Sequence, residues 1–196
     1  MEGGAGVIFA SSFTQNGQRH NPYVLNRFSR MRLRQAERTE LPSIWAIIAF
    51  AIEQRRLDGS SQWQDGYPNR DTLSDDLERG VAYVLENDGE LLLYAAILFE
   101  PEPAYEAIEG KWLTSGPYMV LHRVATSPQA KGKGIATTFF RMAEDLCRAK
   151  GVPSIKVDTN FDNAPMLRIM DNLGYTYCGE VYFRGNARKA FEKVLL

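Results

Sequence analysis

The sequence predicts a single α+β domain over residues 31–196, and three observations carry that reading. Runs with two-residue apolar alternation and runs with a helical period follow one another, with no internal repeat, low-complexity tract or linker between them. Asn87-Asp88-Gly89 separates two β-rich runs, a hairpin signal. Tyr118 to Ala136, YMVLHRVATSPQAKGKGIA, reads as a strand that enters a Pro- and Gly-rich turn and runs straight into a helix.

Residues 1–30 are rich in Gly, Ser, Asn and Gln without a sustained period, and are expected to be an N-terminal extension. Arg32 to Ala36 is a short strand. Thr39 is the expected N-cap of a helix that carries Pro42 in its first turn and ends at Asp58-Gly59. Its apolar face is Leu41, Ile44, Trp45, Ile48 and Ile52. The polar loop 60–69 holds Trp63 and Tyr67, which either pin it to the core or line a ligand pocket. A short helix follows from Asp71, its expected cap, to Gly80. Strands are expected at Val81 to Leu85 and Glu90 to Phe99, then an acidic, irregular connection from Glu100 to Ser115.

The helix from Ile135 to Lys150 is amphipathic, with Ala136, Phe139, Phe140, Ala143, Leu146 and Cys147 as its apolar stripe. Ser154 to Thr159 is a strand. Another helix starts after Asn163, with Pro165 in its first turn and Gly174 past its end. Strands at Tyr175 to Phe183 and Ala187 to Leu195 close the chain.

At 196 residues with 44% hydrophobic and 24% charged side chains, the composition is that of a globular protein with one well-filled core. A net charge of −1 and the lack of an aromatic-interleaved basic stripe argue against a nucleic-acid partner. Charge is uneven, however. Arg123, Lys131, Lys133, Arg141, Arg148 and Lys150 face only Glu144 and Asp145 between positions 123 and 150, which suits a small polyanion. Cys147 and Cys178 have no metal-ligand spacing and read as core thiols of a reducing compartment. No run is apolar enough for a membrane span, and no signal peptide is legible, so a cytoplasmic location is expected.

Three anion-binding loops compete for residues 128–136. A P-loop fails because Ile135 and Ala136 follow Gly134. A dinucleotide fingerprint fails because Thr137 stands at its third glycine position. The third fits. PQAKGKGIA resembles the coenzyme A loop of the Gcn5-related N-acetyltransferase (GNAT) family, pattern [QR]-x-x-G-x-[GA]. The strand HRVAT, the block VDTNFDNAPMLRIMDNLGY and the order of elements resemble the same family over about residues 31–196.

The resemblance implies a mixed, mostly antiparallel sheet flanked by helices on both faces. It also implies transfer of an acetyl group from acetyl-CoA, without a metal, to a primary amine on a small molecule or a protein. Carried over residue by residue, Val124, Ala125 and Thr126 would pair with the pantetheine arm. Lys131, Gly132, Lys133, Gly134, Ile135 and Ala136 would hold the pyrophosphate. Asn163 would meet the pantetheine, or act only as an N-cap.

The candidate bases are Asp158 and His122, the latter being either catalytic or a structural strand histidine. Trp63, Gln64 and Tyr67 are the candidate acceptor-binding residues. Met170 stands where many family members have a tyrosine that protonates the departing thiolate. Methionine cannot do so, which leaves Tyr175 or Tyr177 as substitutes, or else a coenzyme A-binding sensor or partner module with little catalysis. The pattern leaves a homodimer open and gives no sign of a membrane partner.

Overall fold

Apolar alternation in the central strands decides how the sheet is covered. The structure, a computed structural model, describes residues 30–196. The predicted extension therefore lies outside the described residues, apart from Arg30. Among the described residues there are eight strands: β1 (Met31–Gln35), β2 (Ala82–Asn87), β3 (Glu90–Leu98), β4 (Glu109–Gly110), β5 (Tyr118–Thr126), β6 (Ser154–Thr159), β7 (Thr176–Phe183) and β8 (Asn186–Val194). They form one sheet in the order β1-β2-β3-β5-β6-β8-β7-β4. β5 and β6 are parallel, and the other described pairs are antiparallel. The helices are α1 (Leu41–Leu57), α2 (Arg70–Glu78), α3 (Pro103–Glu106), α4 (Ile135–Ala149) and α5 (Ala164–Asn172).

On β3, Leu93, Ala95 and Ile97 point to one face and pack with Phe139, Phe140, Ala143 and Cys147 of α4. Tyr94 points to the other face and packs with Ile44 and Ile48 of α1 and Leu73 of α2. Phe139, Phe140, Ile44, Ile48 and Leu73 are fully buried. Each such side chain contributes about 1.5–3 kcal/mol by leaving water. Helices thus cover both faces of a mixed, mostly antiparallel sheet, the fold class expected from the sequence. Met31–Leu196 form one compact unit.

Local differences from expectation have local causes. A 3-10 turn at Arg38–Glu40, capped reciprocally by Glu37 and Glu40, precedes α1, so Thr39 is not its cap. Asn69 rather than Asp71 caps α2, accepting from the Thr72 amide at 2.9 Å. The connection 100–115 is not wholly irregular: it holds α3 and β4, and Glu102 caps α3 through the Ala104 amide at 3.2 Å. The hairpin turn at Asp88-Gly89 has φ of 49° and 83°, the left-handed pair such a turn needs.

One irregularity opens the middle of the sheet. β5 and β6 pair from Tyr118↔Ser154 to Leu121↔Val157 and then part, although both strands continue. On the other side of β5 the register against β3 shifts between Tyr94↔Ala125 and Ala96↔His122. Arg123 and Val124 thereby oppose the single residue Ala95, a β-bulge that bends β5 away from β6. Arg123 sits at φ 55°, a conformation that costs roughly 1–2 kcal/mol for a side chain of this kind. Its guanidinium holds it there. Nε and Nη2 donate to Asp76 at 2.9 and 2.7 Å, and Nη1 donates to the Tyr67 hydroxyl at 2.5 Å. Tyr94 adds a 2.5 Å hydrogen bond to the same Asp76. Burial opposes the Arg123 charge, but Tyr67 and Asp76 outweigh it and hold the guanidinium pKa above its ordinary value.

Candidate active site

The fork between β5 and β6 opens into a cavity of about 480 Å³. Ser127 donates its amide to the Leu92 carbonyl at 2.9 Å, so alternation along β5 turns the Val124 and Thr126 amides away from β3 and towards the fork. That free strand edge can accept an extended ligand as an added strand.

Beyond β5 the chain makes a short 3-10 turn, Pro128–Ala130, before α4. Gly132 and Gly134 both adopt φ 75°, and Gly134 is the N-cap of α4 without a side chain to cap it. The first bond of the helix runs from the Thr138 amide to the Gly134 carbonyl at 3.0 Å. The amides of Ile135, Ala136 and Thr137 are therefore left to a ligand or water. A Cβ built on Gly132 or Gly134 meets nothing within 4 Å. The glycines are required by their dihedrals, and the space before them is an open cradle. The residues fit a pyrophosphate there, since open amides and the positive helix end favour an anion.

At the fork itself stand His122 and Asp158, the first residues of β5 and β6 that no longer pair across the two strands. Both oxygens of Asp158 are occupied. Tyr105 donates its hydroxyl to Oδ1 at 2.8 Å, and Arg188 donates Nη1 to Oδ2 at 3.1 Å. The Asp158 side chain is only 1% exposed. Burial, then the Asp158 charge, push the Tyr105 hydroxyl pKa well above its usual value, so it remains a donor. His122 lies between two carboxylates: Nε2 is 3.0 Å from Glu102 and Nδ1 is 3.7 Å from Asp158. Burial works against the Glu102 charge, yet the His122 contact, the Ala104 amide and the Arg123 charge together outweigh it and lower the carboxyl pKa. An ionised Glu102 sets the tautomer, because it accepts the proton on Nε2.

His122 also lines a second cavity of about 520 Å³, on the side away from the glycine loop. Gln62, Trp63, Tyr67, Arg123 and Arg188 line both cavities, so the two meet at the fork. Aromatic side chains of Trp63, Tyr67 and Phe183 form the walls of the second.

The sequence-predicted residues distribute unevenly over this geometry. Val124, Ala125, Thr126, Lys131, Gly132, Gly134, Ile135, Ala136 and Asn163 all line the first cavity, whereas Lys133 does not. Lys131 is drawn aside by a hydrogen bond to Gln54. Asn163 is the N-cap of α5, accepting from the Met166 amide at 3.3 Å, and still lines the cavity. Gln64 lines only the second cavity.

Met170 is fully buried among core residues, and Tyr175 is in the same core. Tyr177 is exposed on β7, and none of these three lines either cavity. The phenol in the lining of the first cavity is Tyr67. Sequence reasoning missed Glu102, Tyr105, Arg123 as an anchor, and Arg188. Only Glu102 left a trace, as a Glu-Pro pair that marks a helix start. Among the described residues, no group of His, Cys, Asp and Glu could hold a metal ion, and no helix is long and apolar enough to cross a membrane.

Comparison with known proteins agrees with this architecture. The family model "Acetyltransferase (GNAT) family" matches residues 44–175. A solved GNAT-family acetyltransferase from Streptococcus agalactiae is 40% identical, covering 85% of this chain and 96% of its own at a TM-score of 0.78. A GNAT-family acetyltransferase from Listeria monocytogenes is 21% identical, with coverage of 84% and 95% and a TM-score of 0.69. The yncA protein of Salmonella typhimurium, solved with its cofactor acetyl-CoA, is 18% identical, with coverage of 86% and 95% and a TM-score of 0.60. The last two show likeness of fold alone. A search of curated proteins gave no match. With a family model over most of its length and a 40% identical relative spanning the same domain, the chain belongs to the GNAT acetyltransferase family.

Proposed function

We propose that this protein transfers the acetyl group of acetyl-CoA directly to a primary amine, with His122 as general base. The observation that carries the proposal is the fork: a free strand edge and an uncapped, glycine-flanked helix end line one cavity, and that cavity meets a second at His122. The first cavity suits the donor, and the second the amine.

Acetyl-CoA, when bound, supplies an electrophilic thioester carbonyl and a thiol leaving group. The open amides of Ile135, Ala136 and Thr137 hold the pyrophosphate, and the edge of Val124 to Thr126 holds the arm. The Val124 amide also offers a hydrogen bond where negative charge develops on the carbonyl oxygen. An alkyl ammonium has a pKa near ~10.4, so the amine must lose a proton before attack.

With Glu102 holding the Nε2 proton of His122, Nδ1 carries the lone pair and accepts the amine proton, directly or through a water. Asp158 faces the new Nδ1–H, and Tyr105 and Arg188 keep it in place. Asp158 is thus a positioning residue. The new bond joins the amine nitrogen to the carbonyl carbon, and the carbon–sulfur bond breaks. The thiolate, with a pKa of about 8.5 like that of cysteine, is a tolerable leaving group. Tyr67 is the side chain in the cavity that can return a proton to it.

Calorimetric titration with acetyl-CoA, followed by thiol-release assays over an amine panel, tests the proposal. Binding at sub-millimolar concentration and turnover of at least one amine are expected. Absence of binding would sink it. Binding without turnover of any amine would favour the coenzyme A-binding module, the reading to which the burial of Met170 lends weight.

A further inference from the structure

The second cavity is richer in guanidinium groups than an acceptor pocket for a simple amine needs. Arg79, Arg123, Arg184 and Arg188 line it, against the carboxylates of Asp65 and Glu102. Three of these cations have protein partners of their own: Arg79 pairs with Glu100, Arg123 with Asp76 and Arg184 with Asp65. Arg188 is paired as well, with Asp158, but less completely. It commits Nη1 to Asp158 and lies over the Phe183 ring at 4.8 Å, while its Nε is buried with no hydrogen-bond partner. A guanidinium that the protein satisfies only in part, at the wall of a cavity, favours an anionic ligand that reaches its remaining donors.

Where Arg188 sits narrows the choice. It lines both cavities, beside His122, at the place where donor and amine meet. An anion held there must lie close to the reacting nitrogen within the same acceptor molecule. In an α-amino acid the amine and the carboxylate share one carbon, which meets that condition. The charges also match in sequence across the cavity. Glu102 and His122 face the amine, Arg188 faces the carboxylate, and Trp63, Tyr67 and Phe183 remain for the side chain. Repulsion from Asp158 is weakened because one of its oxygens is ion-paired with Arg188 and the other accepts the Tyr105 hydroxyl.

We propose that the acceptor is a free α-amino acid whose carboxylate is bound by the Arg188 guanidinium and whose side chain packs against Trp63 and Phe183. The inference rests on the N-acetyltransferase reading. A polyamine, a lysine side chain or a protein N-terminus offers no carboxylate at that distance and leaves Arg188 unsatisfied.

The test compares phenylalanine, tyrosine and leucine with their amides and with their decarboxylated amines, measuring kcat/KM by thiol release for wild type, Arg188→Lys and Arg188→Gln. The free acids should exceed their amides by about 10- to 100-fold in wild type, the range of one charge-assisted contact. This holds although the amide's amine, like a peptide α-amine with a pKa near ~8, deprotonates more easily. The ratio should collapse to within a few-fold of one in Arg188→Gln and be partly kept in Arg188→Lys, which has the charge without the planar fork.

Amides or decarboxylated amines used as well as the acids would overturn the inference, as would turnover confined to polyamines or protein amines. An acetyl-CoA titration on the same samples separates the two levels. No binding fails the transferase reading, whereas binding with no amino acid turned over fails only the acceptor assignment. If Arg188→Gln does not fold, the acid-to-amide ratio of the wild type decides alone.

Discussion

Replacing Glu102 by glutamine probes the part of the site that the fold assembled without notice in the sequence. Glu102 bonds His122 Nε2 at 3.0 Å, with side-chain exposures of only 17% and 12%, so solvent screens the contact little. The substituted glutamine keeps an oxygen for the Ala104 amide, so the cap of α3 survives and the backbone has no cause to move. With His122 as the proposed base, what is lost is the charge that would stabilise the imidazolium formed when it takes the amine proton. A charge-assisted hydrogen bond in a partly buried setting is worth about 1.5–3 kcal/mol, which corresponds to a fall in kcat of roughly 10- to 150-fold.

Acetyl-CoA affinity should stay within about twofold, because Glu102 lines the second cavity and not the first. The stability of the variant provides an internal check of sign. The Glu102 pKa is lowered in the folded chain, so its contribution is present above the unfolded value of about 4.3 and fades as pH falls below it. Glu102→Gln should lack that acid-limb loss. Stopped-time thiol release gives kcat, calorimetry gives the Kd of acetyl-CoA, and thermal melts from pH 3 to 7 give stability. A kcat changed by less than threefold, or a Kd weakened as much as kcat falls, would refute the assignment of Glu102 to His122.

Three further outcomes follow from separate features. Gly134→Ala places a Cβ at φ 75° in open space, so it should cost roughly 1–2 kcal/mol and a few degrees of Tm while weakening acetyl-CoA binding by tenfold or more; unchanged affinity in calorimetry would show that the cradle is not used. Met170→Tyr should lower stability by about 1–3 kcal/mol through overpacking and leave kcat no higher, because Met170 is fully buried away from both cavities; a rise in kcat would mean that this position reaches the departing thiol. Burial pushes the Cys147 thiol up to about 11 and raises Cys178 as well, so native protein at pH 8 should stay unlabelled by a disulfide thiol probe and react at both cysteines once denatured; rapid labelling of the native chain would contradict their burial.

The α+β class, the helices behind Ile135 and Asn163, the hairpin at Asp88-Gly89 and the glycine cradle were legible because each depends on neighbours in the chain. Apolar period, the φ that Gly132 and Gly134 permit, and an uncapped helix start are local properties, and they carried the family resemblance with them. Legibility failed where a residue's role depends on register. His122 and Asp158 are separate candidates in the sequence, yet in the fold one is hydrogen-bonded to Glu102 where the two cavities meet and the other is bound on both oxygens by Tyr105 and Arg188.

Nothing near Glu102 in the chain announces His122. The connection 100–115 reads as surface because its acids are frequent and its period absent, and only its docking against β5 makes Glu102 a partner. The same holds for the fork. Local chain chemistry is enough to specify the strand, the turn and the helix that can cradle a charged ligand. It does not specify the bulge at Arg123, held by Asp76 and Tyr67, which bends β5 away from β6 and opens the cavity. Such a bulge is set by the buried ion pair and the pairing with β3, and those contacts join residues that are distant in the chain.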